Sequence, residues 1–295
     1  MRVVTVCQNK GGEGKTTVSR LLTEFSARSG YRTLAIDMDP QCNFSQRFLQ
    51  MDIDANEPDG VLPPLHPAFD PADKTWNGRS SIVDIYARPD VGAQPYPTIY
   101  DNLEFIPGYG PEMRRLELVN AEQVKAKILD RLSIVLDQEE VRSAYDVIII
   151  DTAPSKSPLT VSAIRAATHI LVPCQLETQS MEGLRGMIQL WRSENRLRSP
   201  ENQLHMLGLL PNKYRPVALH KGNLEYLQRN RGLSPFLLPV MLTQRTAFAE
   251  ADHPEAKPKS VFDLPRSDKA RSEAIAACEL VFSKLELTKK VGEAA

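Results

Sequence analysis

The chain has 295 residues, 36 basic and 37 acidic side chains for a formal net charge of −1, and 42% hydrophobic residues. That length can bury a large core and the composition fits a globular protein, and a near-neutral balance does not announce a nucleic-acid binder, although a dimer can gather a local basic face from a neutral chain. Cys7, Cys42, Cys174 and Cys278 are scattered without a paired metal spacing, and His66, His169, His205, His220 and His253 form no ligand motif, so reduced thiols and no zinc-type site are expected. The first predicted strand starts at the N-terminus, with no signal-peptide, transmembrane or helix-turn-helix pattern ahead of it, and a cytoplasmic protein is expected.

In chain order, Val3-Val4-Thr5-Val6 reads as a short β-branched strand, and Val18, Leu21, Leu22 and Phe25 fall at helical spacing. Between them lies Lys10-Gly11-Gly12-Glu13-Gly14-Lys15-Thr16-Thr17, so the order is strand, glycine loop, helix. Glycines let the backbone turn its N–H groups onto phosphate oxygens where side chains would collide, and the opening helix adds its positive end. Lys15 is expected at the β- and γ-phosphates and Thr16 at Mg²⁺. Gly30, past the last periodic residue, suits the helix C-terminus. A chance glycine-rich turn would lack the flanking strand and helical stripe.

Two acidic stations follow. Thr33 to Ile36 is a buried-strand pattern ending in Asp37-Met38-Asp39-Pro40-Gln41, and Tyr145 to Ile150 is another ending in Asp151-Thr152-Ala153-Pro154. Ligands of open α/β sheets sit beyond the carboxyl ends of the strands, so both stations are expected to face the glycine loop. There one carboxylate can hold Mg²⁺ through water and another can orient an attacking water. Each aspartate alone could be a helix cap or turn residue; beside the loop that reading loses weight. Between them, residues 52–100 are rich in proline (Pro58, Pro63, Pro64, Pro67, Pro71, Pro89, Pro95, Pro97) and read as an elaborated surface segment with one short helix near Ser81 to Tyr86. Leu209-Leu210-Pro211-Asn212-Lys213 closes another predicted strand.

These residues resemble the deviant Walker A family of ATPases, which contains the ParA and Soj partition proteins, MinD and the nitrogenase iron protein. The pattern is met by Lys10 to Thr17, by the switch I motif Asp37 to Gln41, and by the Walker B strand Val147 to Asp151. Asn102 to Gly108 is similar to the family's strand before its middle helices. Ala249 to Ala251, Lys259 to Asp263 and Ser267 to Ala274 are similar to the tail of the partition ATPases in particular. The resemblance implies a twisted, mostly parallel P-loop NTPase sheet flanked by helices on both faces, in a single ATPase domain over residues 1–295. It implies ATP and Mg²⁺ as cofactors, with contacts from Lys10 to Thr17. Lys10 would cross the interface of an ATP-sandwich homodimer, Lys15 would bind phosphates, and Thr16, Asp39 and Asp151 would serve the metal. Asp39 would position the hydrolytic water, and Asn212 would contact adenine. The absence of cysteines between Asp151 and Leu171 sets the chain apart from the iron protein.

The departures from the pattern are local. Glu13 stands where the family usually places a small or apolar residue and is expected to point outward, because a carboxylate facing phosphate would oppose binding. Asp151-Thr152-Ala153-Pro154 replaces the commoner Asp-x-Pro-Pro. For non-specific DNA the resemblance implies Arg215 and Arg245, with Lys221 nearby. Arg192, Arg196, Arg198, Lys213, Arg229 and Arg231 are further basic candidates, and a solvated basic face is the plain alternative. The expected function is nucleoid-associated ATP-dependent partition stimulated by a ParB-like adaptor. The alternatives are positioning of a protein cargo, a MinD-like membrane switch and a metabolic P-loop ligase. The stripe of Ala274, Ile275, Cys278, Val281, Phe282 and Leu285 is too modest for a lipid-inserting helix, so no stable membrane insertion is expected.

Overall fold

Runs of Val and Ile without polar alternation suit strands covered on both faces, and such runs occupy the centre of the sheet. The computed structural model describes residues 1–55, 57, 60–87, 92–118, 122–251 and 260–287. Pro58, Pro89, His253 and Lys259, named above, lie outside the described residues. The strands are β1 (Arg2–Val6), β2 (Thr33–Met38), β3 (Asp52–Ile53), β4 (Val61–Leu62), β5 (Tyr96–Pro97), β6 (Leu103–Ile106), β7 (Val147–Thr152), β8 (His169–Cys174) and β9 (His205–Pro211). The first helices are α1 (Lys15–Arg28), α2 (Ser45–Phe48), α3 (Ile82–Ala87), α4 (Gly110–Glu117), α5 (Glu122–Leu136) and α6 (Glu139–Ala144). They are followed by α7 (Pro158–Ala166), α8 (Thr178–Asn195), α9 (Ala218–Arg229), α10 (Thr246–Glu250) and α11 (Lys269–Lys284).

Seven strands form one sheet in the order β5-β6-β2-β7-β1-β8-β9. All neighbours are parallel except the edge pair β5 and β6. β7 inserts between β1 and β2, so Asp151 is in register with Val6 on one side and Asp37 on the other. That topology carries both acidic stations to the edge where the glycine loop leaves β1.

Side-chain alternation divides the core into layers. Val4, Val6, Val147 and Ile149 join α1 and α11 on one face, while Val3, Ile148, Ile150, Leu34 and Ile36 join α3, α5 and α7 on the other. A third cluster under α8 and α9 closes the β8–β9 end. Gly30, at φ 81°, follows Ser29 at the end of α1, as its position predicts. On α11, Ala274, Cys278, Val281 and Phe282, with Leu285 at its C-cap, are all buried in the α1 layer. The modest apolar stripe is therefore spent on the core. No helix among the described residues is long and apolar enough to cross a membrane.

The segment 52–100 is more than a surface elaboration with one helix. It supplies the β3–β4 ribbon and the edge strand β5, and it buries Ile82, Ile85 and Tyr96. α3 stands where expected, with Ser81 N donating to Asp84 Oδ2 at its start and Ile82 N to the Pro107 carbonyl. Strands of two residues containing proline carry no period that a sequence reading can use.

Candidate nucleotide and metal site

The loop between β1 and α1 turns on two left-handed glycines, Gly12 at φ 82° and Gly14 at φ 83°. Gly14 caps α1, and a Cβ there would lie 2.2 Å from the Asn212 amide nitrogen. The N–H groups of the first turn of α1 have no partner inside the helix, and together with its positive end they suit an anion.

Lys15 is buried at 6% exposure, and its Nζ donates to the Lys10 carbonyl at 3.1 Å. Burial lowers its pKa, opposed by the nearby charges of Asp151 and Asp39. Asp151 is fully buried and accepts the Thr16 hydroxyl at 2.7 Å and the Ser19 hydroxyl at 2.8 Å. Burial, reinforced by Asp37, pushes its carboxyl up to about 8. Asp37 accepts Asp39 N at 3.0 Å, Ser45 N at 2.8 Å and Ser45 Oγ at 2.7 Å, and burial pushes it up to about 7. Asp39 is nearly buried, with Oδ1 accepting Gln41 N at 3.0 Å. The strand register thus sets Asp151 and Asp39 beside the Lys15 ammonium, with Asp37 next to both carboxylates, and burial is the main cause of the raised carboxyls of Asp37 and Asp151.

A divalent cation fits this donor set. Thr16 and Asp151 are already joined by a hydrogen bond at the helix start. Among the described residues no group of three His, Cys, Asp or Glu side chains forms a closed metal cage. Mg²⁺ does not need one, because it is held by one or two carboxylates together with substrate phosphates and water.

Asn212 stands at the end of β9 at 4% exposure, with its Nδ2 donating to the Glu13 carbonyl at 2.7 Å. A cavity of about 600 Å³ opens beside it, lined by Thr17, Asn212, Lys213, Arg215, Arg245 and Phe248 among others. That volume suits a nucleoside next to the loop. A cavity of about 530 Å³ bounded by Arg47, Phe48 and Tyr100 contains none of the predicted site residues.

Glu13 overturns an expectation. It points inward, at 2% exposure, with Oε2 accepting Gln175 N at 2.6 Å and Oε1 accepting the Ser180 hydroxyl. The connection from β8 gives the carboxylate the Gln175 N–H, and the start of α8 gives it a hydroxyl and a helix N-terminus, so its charge is satisfied by these groups. Sequence reasoning also passed over Ser19, Ser45, Gln175 and Gln179, and it had Lys213 only as a basic candidate, whereas its Nζ donates to the Gly12 carbonyl at 2.6 Å. Ser19 was within reach of that reasoning, since it lies one turn from Thr16 on α1.

The basic candidates separate. Arg215 and Arg245 line the 600 Å³ cavity and pair with Glu177 at 3.3 Å and Glu273 at 2.6 Å, whereas Lys221 is exposed on α9. Arg198 does not join a basic face: it donates to the carbonyls of Ile164, Arg165 and Ala167 at the C-terminus of α7. Ile164 O also receives Ala167 N at 3.2 Å, and the last carbonyls of a helix lack the usual i+4 donors, so a guanidinium there acts as a cap.

With the geometry in place, a family profile described as "AAA domain" matches residues 1–204. A protein of Methanocaldococcus jannaschii is 29% identical over 268 residues, covering 89% of this chain and 92% of its own length. The chromosome-partitioning ATPase Soj of Thermus thermophilus is 28% identical over 214 residues, covering 72% of this chain and 70% of its own. The chain spans only 46% and 42% of two longer rhizobial proteins named for replication. Among solved structures, an ATP complex of McdA from Cyanothece aligns over 99% of both chains with a TM-score of 0.72 at 17% identity, a likeness of fold.

Proposed function

Because the chain belongs to the ParA/MinD-type family of P-loop partition ATPases, with an AAA-domain match over residues 1–204, we propose that it is an ATP-driven positioning switch. The observation that carries this reading is the register that sets Asp37 and Asp151 side by side next to a two-lysine glycine loop. In this reading residues 1–295 act as one ATPase unit, with 52–100 as an elaboration that carries partner specificity.

Lys15 binds the β- and γ-phosphates, and Lys10 reaches the nucleotide of a second protomer, closing a sandwich homodimer. Asn212 holds the base in the adjoining cavity. Mg²⁺, when bound through Thr16 and the shell of Asp151, supplies charge neutralisation at the phosphates. Asp39 orients the water that attacks the γ-phosphate, and Asp37 fixes Asp39 by accepting its backbone N–H. Loss of the γ-phosphate ends the dimer, so nucleotide state is the switch.

The ATP dimer binds DNA without sequence preference through Arg215, Lys221 and Arg245, and a ParB-like adaptor stimulates hydrolysis and release. A duplex of arbitrary sequence, titrated with ATP, ADP or no nucleotide, tests this. Binding is expected with ATP only. With three basic groups from each protomer on phosphate, affinity should fall about 10³-fold between 50 and 200 mM salt. Absence of binding in every state would move the reading to a protein or small-molecule partner. Burial of the α11 stripe in the core disfavours a MinD-like membrane switch built on that helix.

Gly110 gives a second test. A Cβ there would lie 2.4 Å from the Pro40 carbonyl, which is backbone and cannot swing aside. Gly110→Ala therefore displaces the loop that carries Asp39. Single-turnover hydrolysis is expected to slow by roughly 10²-fold, the scale of a 1 Å misplacement, while ATP affinity stays near wild type. An equal loss of both would place the effect on folding.

A further inference from the structure

We propose that Gln179, on the first turn of α8, is a latch that holds Lys10 within its own protomer until ATP-dependent pairing draws it away. This rests on the reading of Lys10 as a residue that crosses the dimer interface. The Lys10 ammonium donates to Gln179 Oε1 at 2.7 Å. Lys10 is half-buried and Gln179 exposed, so the bond can open without a large desolvation cost.

What keeps the two side chains together is the anchoring beneath them. The Glu13 carboxylate ties the loop to Gln175 N and to the Ser180 hydroxyl, and Gln175 Nε2 returns a bond to the Gly12 carbonyl at 2.6 Å. These contacts fasten the start of α8 to the loop from the residues on either side of Gln179. Gly183, one turn further along α8, leaves room for the incoming chain: a Cβ there would meet Gln8 Oε1 at 3.3 Å and Lys10 Cγ at 3.7 Å. Glu13, which is unusual at this place in the loop, thereby has a purpose. It sets the helix turn that presents the acceptor for Lys10.

A lysine bonded to Gln179 cannot at the same time extend to a partner's nucleotide. The latch therefore subtracts from pairing affinity, and its removal shifts the equilibrium towards the dimer. For an exposed hydrogen bond to an ammonium the expected shift is about three- to tenfold.

Sedimentation of the full chain with a non-hydrolysable ATP analogue and Mg²⁺ measures the concentration at half-dimerisation. Gln179→Ala is expected to lower that concentration about three- to tenfold, and alanine is well tolerated on a helix. Gln179→Glu, which turns the bond into an ion pair, is expected to raise it by a similar factor. Binding of the analogue to the monomer should be the same in both variants, which reports that each is folded. Unchanged or weaker pairing in Gln179→Ala overturns the latch. Lys10→Ala is the control for the underlying reading: pairing that survives Lys10→Ala overturns the cross-interface role itself. If Lys10→Ala stays monomeric while the Gln179 variants pair like wild type, only the latch fails.

Discussion

Lys15→Ala should lose ATP binding by two to three orders of magnitude. The ammonium sits at 6% exposure with Asp151 and Asp39 as its strongest charge neighbours. Without it, an incoming triphosphate meets the acidic side chains of Asp151 and Asp39 with no compensating side-chain charge in that position. Removing one partner from a buried charge cluster costs about 3–5 kcal/mol, and every 1.4 kcal/mol is about tenfold in affinity. Lys15→Met keeps the side-chain volume and removes only the charge, so the two variants should behave alike if charge is the cause. The protein should still fold, because Asp37 and Asp151 already have raised pKa values and can accept protons near neutrality. Calorimetric titration with ATP and Mg²⁺, with circular dichroism as the folding control, reads both effects. Binding within tenfold of wild type would remove the glycine loop from the phosphate-binding role.

The residues whose place in the fold was legible in the sequence are those whose signals are local. Lys10 to Thr17 declares itself because glycine spacing, strand and helix adjoin within a few turns of chain. Asp37, Asp39 and Asp151 sit at the ends of apolar runs, and in a parallel sheet strand ends converge on one edge whatever the connections between them. The sheet and its flanking helices followed from the same runs. Glu13 went the other way. Its direction depends on Gln175 and Ser180, more than 160 residues distant in the chain, and no local period encodes that meeting. Arg198 looked like part of a basic face because its role as a cap is visible only when the end of α7 is beside it. The proline-rich segment concealed β5, since a strand of two residues is recognised by its partner β6 and not by its own composition. Arg215 and Arg245 stand between the two cases: their charge was legible, their place on the cavity beside Asn212 was not.

Asp39→Ala is expected to arrest the cycle with ATP bound. Asp39 Oδ1 receives Gln41 N, but the path of the loop is held mainly by Asp37, which accepts Asp39 N, Ser45 N and the Ser45 hydroxyl. Ser45 in turn accepts Gly108 N from the turn after β6. The carboxylate of Asp39 can therefore be deleted while its backbone stays in place. Phosphate contacts from Lys15 and the N-terminus of α1 are untouched, so ATP affinity should remain within a few-fold of wild type. The rate of hydrolysis should fall by about 10²–10⁴-fold, the usual scale for a positioned acid or base. Asp39→Asn separates charge from shape, because its amide oxygen can still accept Gln41 N. If the carboxylate acts on water, Asp39→Asn should be as slow as Asp39→Ala, whereas partial rescue by Asn would make Asp39 a positioning residue for the loop. The arrested protein should accumulate as a dimer and stay on DNA at low salt, with an adaptor unable to release it. Normal turnover in Asp39→Ala would falsify the assignment and move the search for the water-orienting group to Asp37 or to the residues after Asp151.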